Sequence, residues 1–153
     1  MNEDRKFIAD VMLGKLAARL RLLGFDTVYY CDADDSFLLR KSKEENRILL
    51  TRDLALTKVR GAKVHFIKSI KLADQIQEVS QEYSLAVEPA KLFSRCSVCN
   101  TPLQKVDKEK AKGKVPPLVY KTFNEFSYCP HCRRFYWRGT HYDKMIAELK
   151  NIR

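Results

Sequence analysis

Two C-x-x-C pairs, Cys96-Ser97-Val98-Cys99 and Cys129-Pro130-His131-Cys132, constrain what this chain can fold into more than any other feature. Two residues between thiolates let one tight turn present both sulfurs to a single metal, and two such turns complete a tetrahedral shell. The expected ion is Zn²⁺. Four thiolates leave no open coordination position, so the ion is expected to be structural rather than catalytic. It supplies a centre that a segment this short cannot build from side chains alone. Disulfides are the competing use of these cysteines, and they are rare where thiols stay reduced. The polar N-terminus, Met1 to Lys6, and the lack of an apolar run of about 20 residues predict a cytoplasmic address and no membrane partner. The fifth cysteine, Cys31, is expected to be a small buried hydrophobe at the end of a strand. His131 is not expected to ligate.

Charge is unevenly placed. Residues 93–153 carry 13 Lys and Arg against 5 Asp and Glu, whereas residues 1–92 carry 16 against 14, so +8 of the net +10 belongs to the C-terminal piece. A one-sided basic surface concentrates polyanions, of which RNA and DNA are the commonest. Directly after the second knuckle, Arg133-Arg134-Phe135-Tyr136-Trp137-Arg138 interleaves arginines with aromatic rings. On a strand, Arg134, Tyr136 and Arg138 share one face and Phe135 and Trp137 the other. These groups bind phosphates and stack on unpaired bases. Equally, Phe135 and Trp137 can form a small core beneath solvated arginines. His141, in a turn after Gly139 and Thr140, is a further candidate contact.

The first 85 residues alternate strand and helix signals, the pattern of an α/β fold with a parallel sheet. Phe7 to Ala9, Thr27 to Cys31, Arg47 to Thr51 and Lys63 to Ile67 read as strands. Between Met12 and Leu23, apolar Leu13, Leu16, Ala17, Leu20 and Leu23 recur at helical spacing while Lys15, Arg19 and Arg21 point elsewhere. Further helices are expected over about 36–45 and 71–83, with a helical turn near Leu54 to Val59. The helical pattern stops at Val87-Glu88-Pro89, which places a boundary between 1–90 and a zinc-ribbon module with a C-terminal helix over 91–153. Asp107 to Pro117, lysine-rich with Gly113 and a Pro-Pro pair, reads as a mobile loop.

Asp10, Asp34/Asp35 and Asp53 each fall just beyond the C-terminal end of a predicted parallel strand, the edge where open parallel sheets bind ligands. Clustered carboxylates without histidine suit Mg²⁺ or Mn²⁺, ions that activate water and neutralise phosphoryl charge. An aspartate at a strand-to-helix turn is also the usual cap of the following helix. Of the neighbours, Asp35 is preferred as the residue next to the helix start. Lys15, Arg19 and Arg52 lie near the same edge and are candidate contacts to a substrate backbone.

Several of these segments resemble a known family. Phe7-Ile8-Ala9-Asp10, Gly14-Lys15-Leu16-Ala17 with Leu20-Arg21-Leu22-Leu23-Gly24, and Arg47-Ile48-Leu49-Leu50-Thr51-Arg52-Asp53 look like the Mut-seven C-terminal (Mut7-C) RNase domain. The knuckles and Tyr136-Trp137-Arg138-Gly139-Thr140-His141 look like its zinc ribbon. The resemblance implies a PIN-like three-layer α/β sandwich followed by a zinc ribbon. It also implies a metal-dependent RNase whose acidic residues fall on Asp10, Asp35 and Asp53. PIN-like nucleases usually carry a fourth acid at the end of the next strand, where this chain has Lys68-Ser69; Asp74 and Asp143 are the alternatives. The expected activity is endonucleolytic hydrolysis of RNA, with the ribbon binding the RNA. Two other roles are compatible with the same residues. One is a non-catalytic adaptor on RNA or the ribosome. The other is the toxin of a toxin–antitoxin pair, whose partner is the antitoxin.

Overall fold

Short apolar strands separated by amphipathic helices assemble as their periodicity requires. A computed structural model describes residues 5–149, except the side chains of 141 and 149. Strands β1 (Phe7–Ala9), β2 (Thr27–Tyr29), β3 (Ile48–Thr51) and β4 (Val64–Phe66) form one parallel sheet in the order β2-β1-β3-β4. Phe7 pairs with Thr27 on one side and with Ile48 on the other.

Helix α1 (Gly14–Leu22) links β1 to β2, and α2 (Asp35–Glu45) carries the chain back past β1 to β3. Because the two crossovers run in opposite directions, right-handed connections put the helices on opposite faces. The strands alternate accordingly. Phe7, Ala9, Ile48 and Leu50 pack with Leu16, Ala17 and Leu20 of α1 and with Ile76 and Val79 of α3 (Leu72–Glu82). Ile8 and Leu49 face the other way, toward Leu38 of α2 and Leu56 of the 3-10 turn Leu54–Lys58. The body is thus the expected three-layer sandwich. Burying each such leucine contributes roughly 1.5–3 kcal/mol.

The second sheet is antiparallel, in the order β5 (Gln104–Val106), β6 (Phe126–Cys129), β7 (Arg134–Tyr136). The segment expected as a mobile loop is ordered instead. It contains α4 (Lys108–Ala111) and leads into α5 (Pro117–Thr122), which has proline in its first turn. Ala111 and Val115 are buried with Phe126. The open face of a three-stranded sheet needs a cover, and those two residues are the apolar points the lysine-rich stretch can offer. Helix α6 (Thr140–Leu149) then returns to the body, where Met145 joins the cluster of Phe7 and Leu16.

The seam between the two pieces is close. Gly24 ends the turn after α1 at φ +97°, and a Cβ there would stand 2.6 Å from the Lys91 carbonyl oxygen. Only glycine meets both demands.

Candidate zinc centre and acidic edge

The four knuckle cysteines converge, with every Sγ within 4.8 Å of the others. Cys99 and Cys129 Sγ are 3.5 Å apart, near the roughly 3.8 Å expected across a tetrahedron of ~2.3 Å Zn–S bonds. The donor set therefore fits zinc. Outer contacts hold it in shape: the Cys132 amide donates to Cys129 Sγ at 3.3 Å, and the Tyr136 hydroxyl lies 3.0 Å from Cys96 Sγ while accepting from the Ser97 amide at 3.2 Å. Burial acts to raise the Cys99 thiol, but its contacts to the Thr101 side chain and backbone outweigh it and draw the thiol down to about 6. Cys132, hydrogen-bonded to the Cys99 sulfur and partly desolvated, is pushed up to about 12. Metal binding to such a set releases the remaining protons.

The first knuckle is pinned to the body. Arg21, 5% exposed, donates from Nε to the Thr27 carbonyl at 2.7 Å and from Nη1 to the Ser97 and Val98 carbonyls at 3.0 and 3.1 Å. Arg21 thus points away from the apolar face of α1, as expected, but into the seam with the first knuckle rather than into solvent. A guanidinium carries enough donors to satisfy three carbonyls on two elements at once, which makes its burial tolerable. Asn100 adds a second tie, donating to Asp26 Oδ1 at 2.7 Å and accepting from the Thr27 amide at 3.0 Å. Burial would raise the Asp26 carboxyl, but hydrogen bonds from Arg47 and Asn100 outweigh it and hold the carboxyl below its usual range.

At the opposite end of the sheet lie the carboxylates. With strand order β2-β1-β3-β4, the connections diverge between β1 and β3, the switch point at which open α/β sheets bind ligands. Asp10 follows β1 and is 5% exposed. Its Oδ1 accepts from the Met12 amide at 3.0 Å; its Oδ2 accepts from Thr51 Oγ1 at 2.6 Å and from the Arg52 amide at 2.9 Å. Thr51 Oγ1 in turn accepts from the Asp53 amide at 2.9 Å, so one hydroxyl links the two acids. Asp53 Oδ1 caps the next turn through the Ala55 amide at 2.9 Å. Asp34 is the cap of α2, accepting from the Phe37 amide at 2.8 Å, and Asp35 opens that helix with its side chain exposed.

Asp10, Asp35 and Asp53 thus share an edge without forming a ready-made cage; among the described residues, the cysteines are the one group of three or more ligands within mutual reach. Asp10 has three donors on about four lone-pair sites. Mg²⁺ is held by one or two carboxylates plus substrate phosphate and keeps several waters. That mode fits Asp10 with Asp53. An all-protein site does not.

The end of β4 carries a carboxylate after all, supplied from α3. Glu78 accepts from the Lys68 amide at 3.1 Å, the Ser69 amide at 3.0 Å and Ser69 Oγ at 2.8 Å, and lies 2.9 Å from His65 Nε2. Burial would raise this group, but those bonds outweigh it and hold the carboxyl low. Its oxygens are engaged by the strand end rather than offered outward.

The Mut7-C RNAse domain model matches residues 5–149. The chain belongs to that family. It is also 31% identical over 101 residues to a human protein described as "Exonuclease mut-7 homolog", an alignment covering 62% of this chain and 12% of that protein. This chain therefore corresponds to a small part of that relative's length. The family is a nuclease family, and the expected kinship is confirmed.

The candidate RNA-contacting side chains of this Mut7-C domain fare differently. Lys15 is exposed at the start of α1, and Arg133 and Arg134 are exposed beside the second knuckle. Arg19 is paired with Glu148 at 2.7 Å. Arg52 is spent within the body, donating to the Ile67 and Lys68 carbonyls at 2.6 and 3.1 Å. Arg138 lies 5.1 Å from the centre of the Tyr142 ring. The His141 side chain lies outside the described residues. Phe135 and Trp137 pack against the small ribbon core, and Tyr136 serves the zinc centre. Cys31 is exposed, contrary to expectation, because β2 ends at Tyr29 and the chain has already turned outward. Among the described residues, no helix is long and apolar enough to cross a membrane.

Proposed function

We propose that this chain is a metal-dependent endoribonuclease that hydrolyses RNA phosphodiester bonds at the acidic edge, with a ribbon that binds the RNA. The observation that carries this reading is the Asp10–Thr51–Asp53 linkage at the β1/β3 switch point. Three hydrogen bonds fix the Asp10 carboxylate in place. Asp53 uses one oxygen as a cap and, among the described residues, leaves the other unpartnered, and Asp35 is exposed. A bound Mg²⁺ or Mn²⁺ would neutralise phosphoryl charge and activate water. Asp10 and Asp53 would hold it, with Asp35 beside them, and Thr51 would keep the first two in register. The edge is an open ledge flanked by Met12, Leu54 and Ile70, which are 73%, 61% and 83% exposed. Such a ledge suits an internal bond of a strand better than a terminus.

A circular RNA labelled internally tests this directly, since only an endonuclease opens it. With Mn²⁺ the protein should linearise it, and Asp53→Asn should slow cutting by about 100-fold or more while binding persists. Asp10→Asn should act likewise. A second reading, an RNA- or ribosome-binding adaptor, is favoured by the engagement of Asp10 with protein donors. RNA binding without any metal-dependent cutting would select the adaptor.

A further inference from the structure

Between the body and the ribbon runs a cleft of about 520 Å³, bounded by α1 on one side and by β7 and α6 on the other. Lys15 and Leu72 line it on the side of the acidic edge, because both follow strand C-termini by a few residues. Ser97 of the first knuckle stands at its far end. We propose that this cleft holds one unpaired nucleotide of the RNA strand, its base against Trp137 and its phosphate between Lys15 and Lys144, so that the strand must be single-stranded next to the cutting edge. This rests on the nuclease reading above and names its substrate class.

Three features support it. First, the cleft is within the size range of small-ligand sites, roughly 300–1,000 Å³, and a base that is paired and stacked in a duplex cannot enter it. Second, its walls combine ring surface with positive charge, the combination that holds single strands. Tyr136 and Trp137 supply the rings. Of the charged side chains lining it, Arg19 and Glu148 neutralise each other at 2.7 Å. Lys15 and Lys144 have no ion-pair partner among the described residues and remain as net positive charge. Third, among the described residues the indole N–H is unsatisfied, with only the small Gly139 beside it. A Cβ on Gly139 would stand 3.0 Å from Trp137 Nε1, and that N–H has no hydrogen-bond partner among the described residues. It is a donor on a ring that lines the cleft, suited to a base carbonyl.

The chain has a single tryptophan, so its emission reports on the surroundings of that one ring, and the cleft variants below tie the response to this wall. Adding oligouridylate to the zinc-loaded protein should change Trp137 emission in a saturable way. A blunt duplex of equal phosphate content should bind about 10-fold more weakly. Ala18→Phe, which fills the α1 wall, and Lys144→Glu, a surface change that leaves the fold alone, should each weaken oligouridylate binding by about 10-fold. Lys110→Glu, on α4 and outside the cleft, should change it by less than about 2-fold. Equal affinity for the duplex, unaltered emission at saturation, or unchanged affinity in both cleft variants would overturn the proposal. Binding and cutting are read separately. A protein that binds in the cleft but never cuts keeps this inference and removes the nuclease reading; one that cuts but ignores both cleft variants does the reverse.

Discussion

The body and the ribbon reach order by different routes. In the body, both faces of a parallel sheet are covered, one by α1 and α3 and the other by α2, and the strands β1 and β3 are buried throughout. In the ribbon, the buried apolar centre among the described residues is just Ala111, Val115 and Phe126, and four cysteines stand where a second layer would be. Burial of apolar surface suffices for the first piece; the second depends on thiolate coordination. The joint between them mixes apolar contacts, Leu92 and Met145 in the body's core, with polar ties at the first knuckle, Arg21 and Asn100, and it is the polar ties that bear directly on the metal site.

The sharpest way to break this contrast is to remove the metal. Chelation should cost the ribbon about 10 kcal/mol of binding free energy, so hydrogen-exchange protection should vanish across β5, β6 and β7 and persist in β1 and β3. Ribbon amides that stay protected without zinc would show that the small apolar centre stands alone. Next comes the joint. Arg21→Met leaves three carbonyls without their donor and should lower stability by about 3 kcal/mol in thermal unfolding, with zinc still bound. Arg21→Lys should recover little, since an ammonium cannot reproduce the fork. A change within about 0.5 kcal/mol would mean that the joint is not stressed.

A smaller effect is expected at Tyr136→Phe, which removes the hydroxyl beside Cys96 Sγ. Zinc affinity, measured by competition with a chromogenic chelator, should fall about 10-fold; unchanged affinity would make the hydroxyl a bystander. Smallest is the acid response of Asp26. Its carboxyl is held below the ordinary value of 3.8. Its contribution is therefore present above that value and lost as pH falls through the lower, folded one. Asp26→Asn should flatten this part of the stability curve by about 1 kcal/mol, and an identical pH dependence in wild type and variant would contradict it.

Much of the body was legible in the residues because its two periods are clean. Phe7-Ile8-Ala9 and Ile48-Leu49-Leu50 alternate between two buried faces, and Leu13, Leu16, Leu20 and Leu23 mark one side of a helix. The zinc ligands were legible because spacing alone dictates geometry. What sequence could not show was where charged side chains end. Arg21 sits among solvated-looking neighbours on α1, and only the position of the Ser97 and Val98 carbonyls, far along the chain, gives it a buried role. Glu78 lies mid-helix, and nothing local announces that it reaches the end of β4. The order of 107–117 was hidden for a related reason: its lysines dominate the composition, while two small apolar residues decide its path.

Hydrolysis at the sheet edge requires a cation there, and Mn²⁺ titration of isotope-labelled protein tests for it most directly. In the presence of a non-cleavable 2′-O-methyl RNA, paramagnetic broadening should begin at the amides of Asp10, Thr51, Arg52 and Asp53 and be lost in Asp10→Asn. Broadening absent from those amides, or no stronger there than over the remaining surface, would contradict the hydrolytic reading.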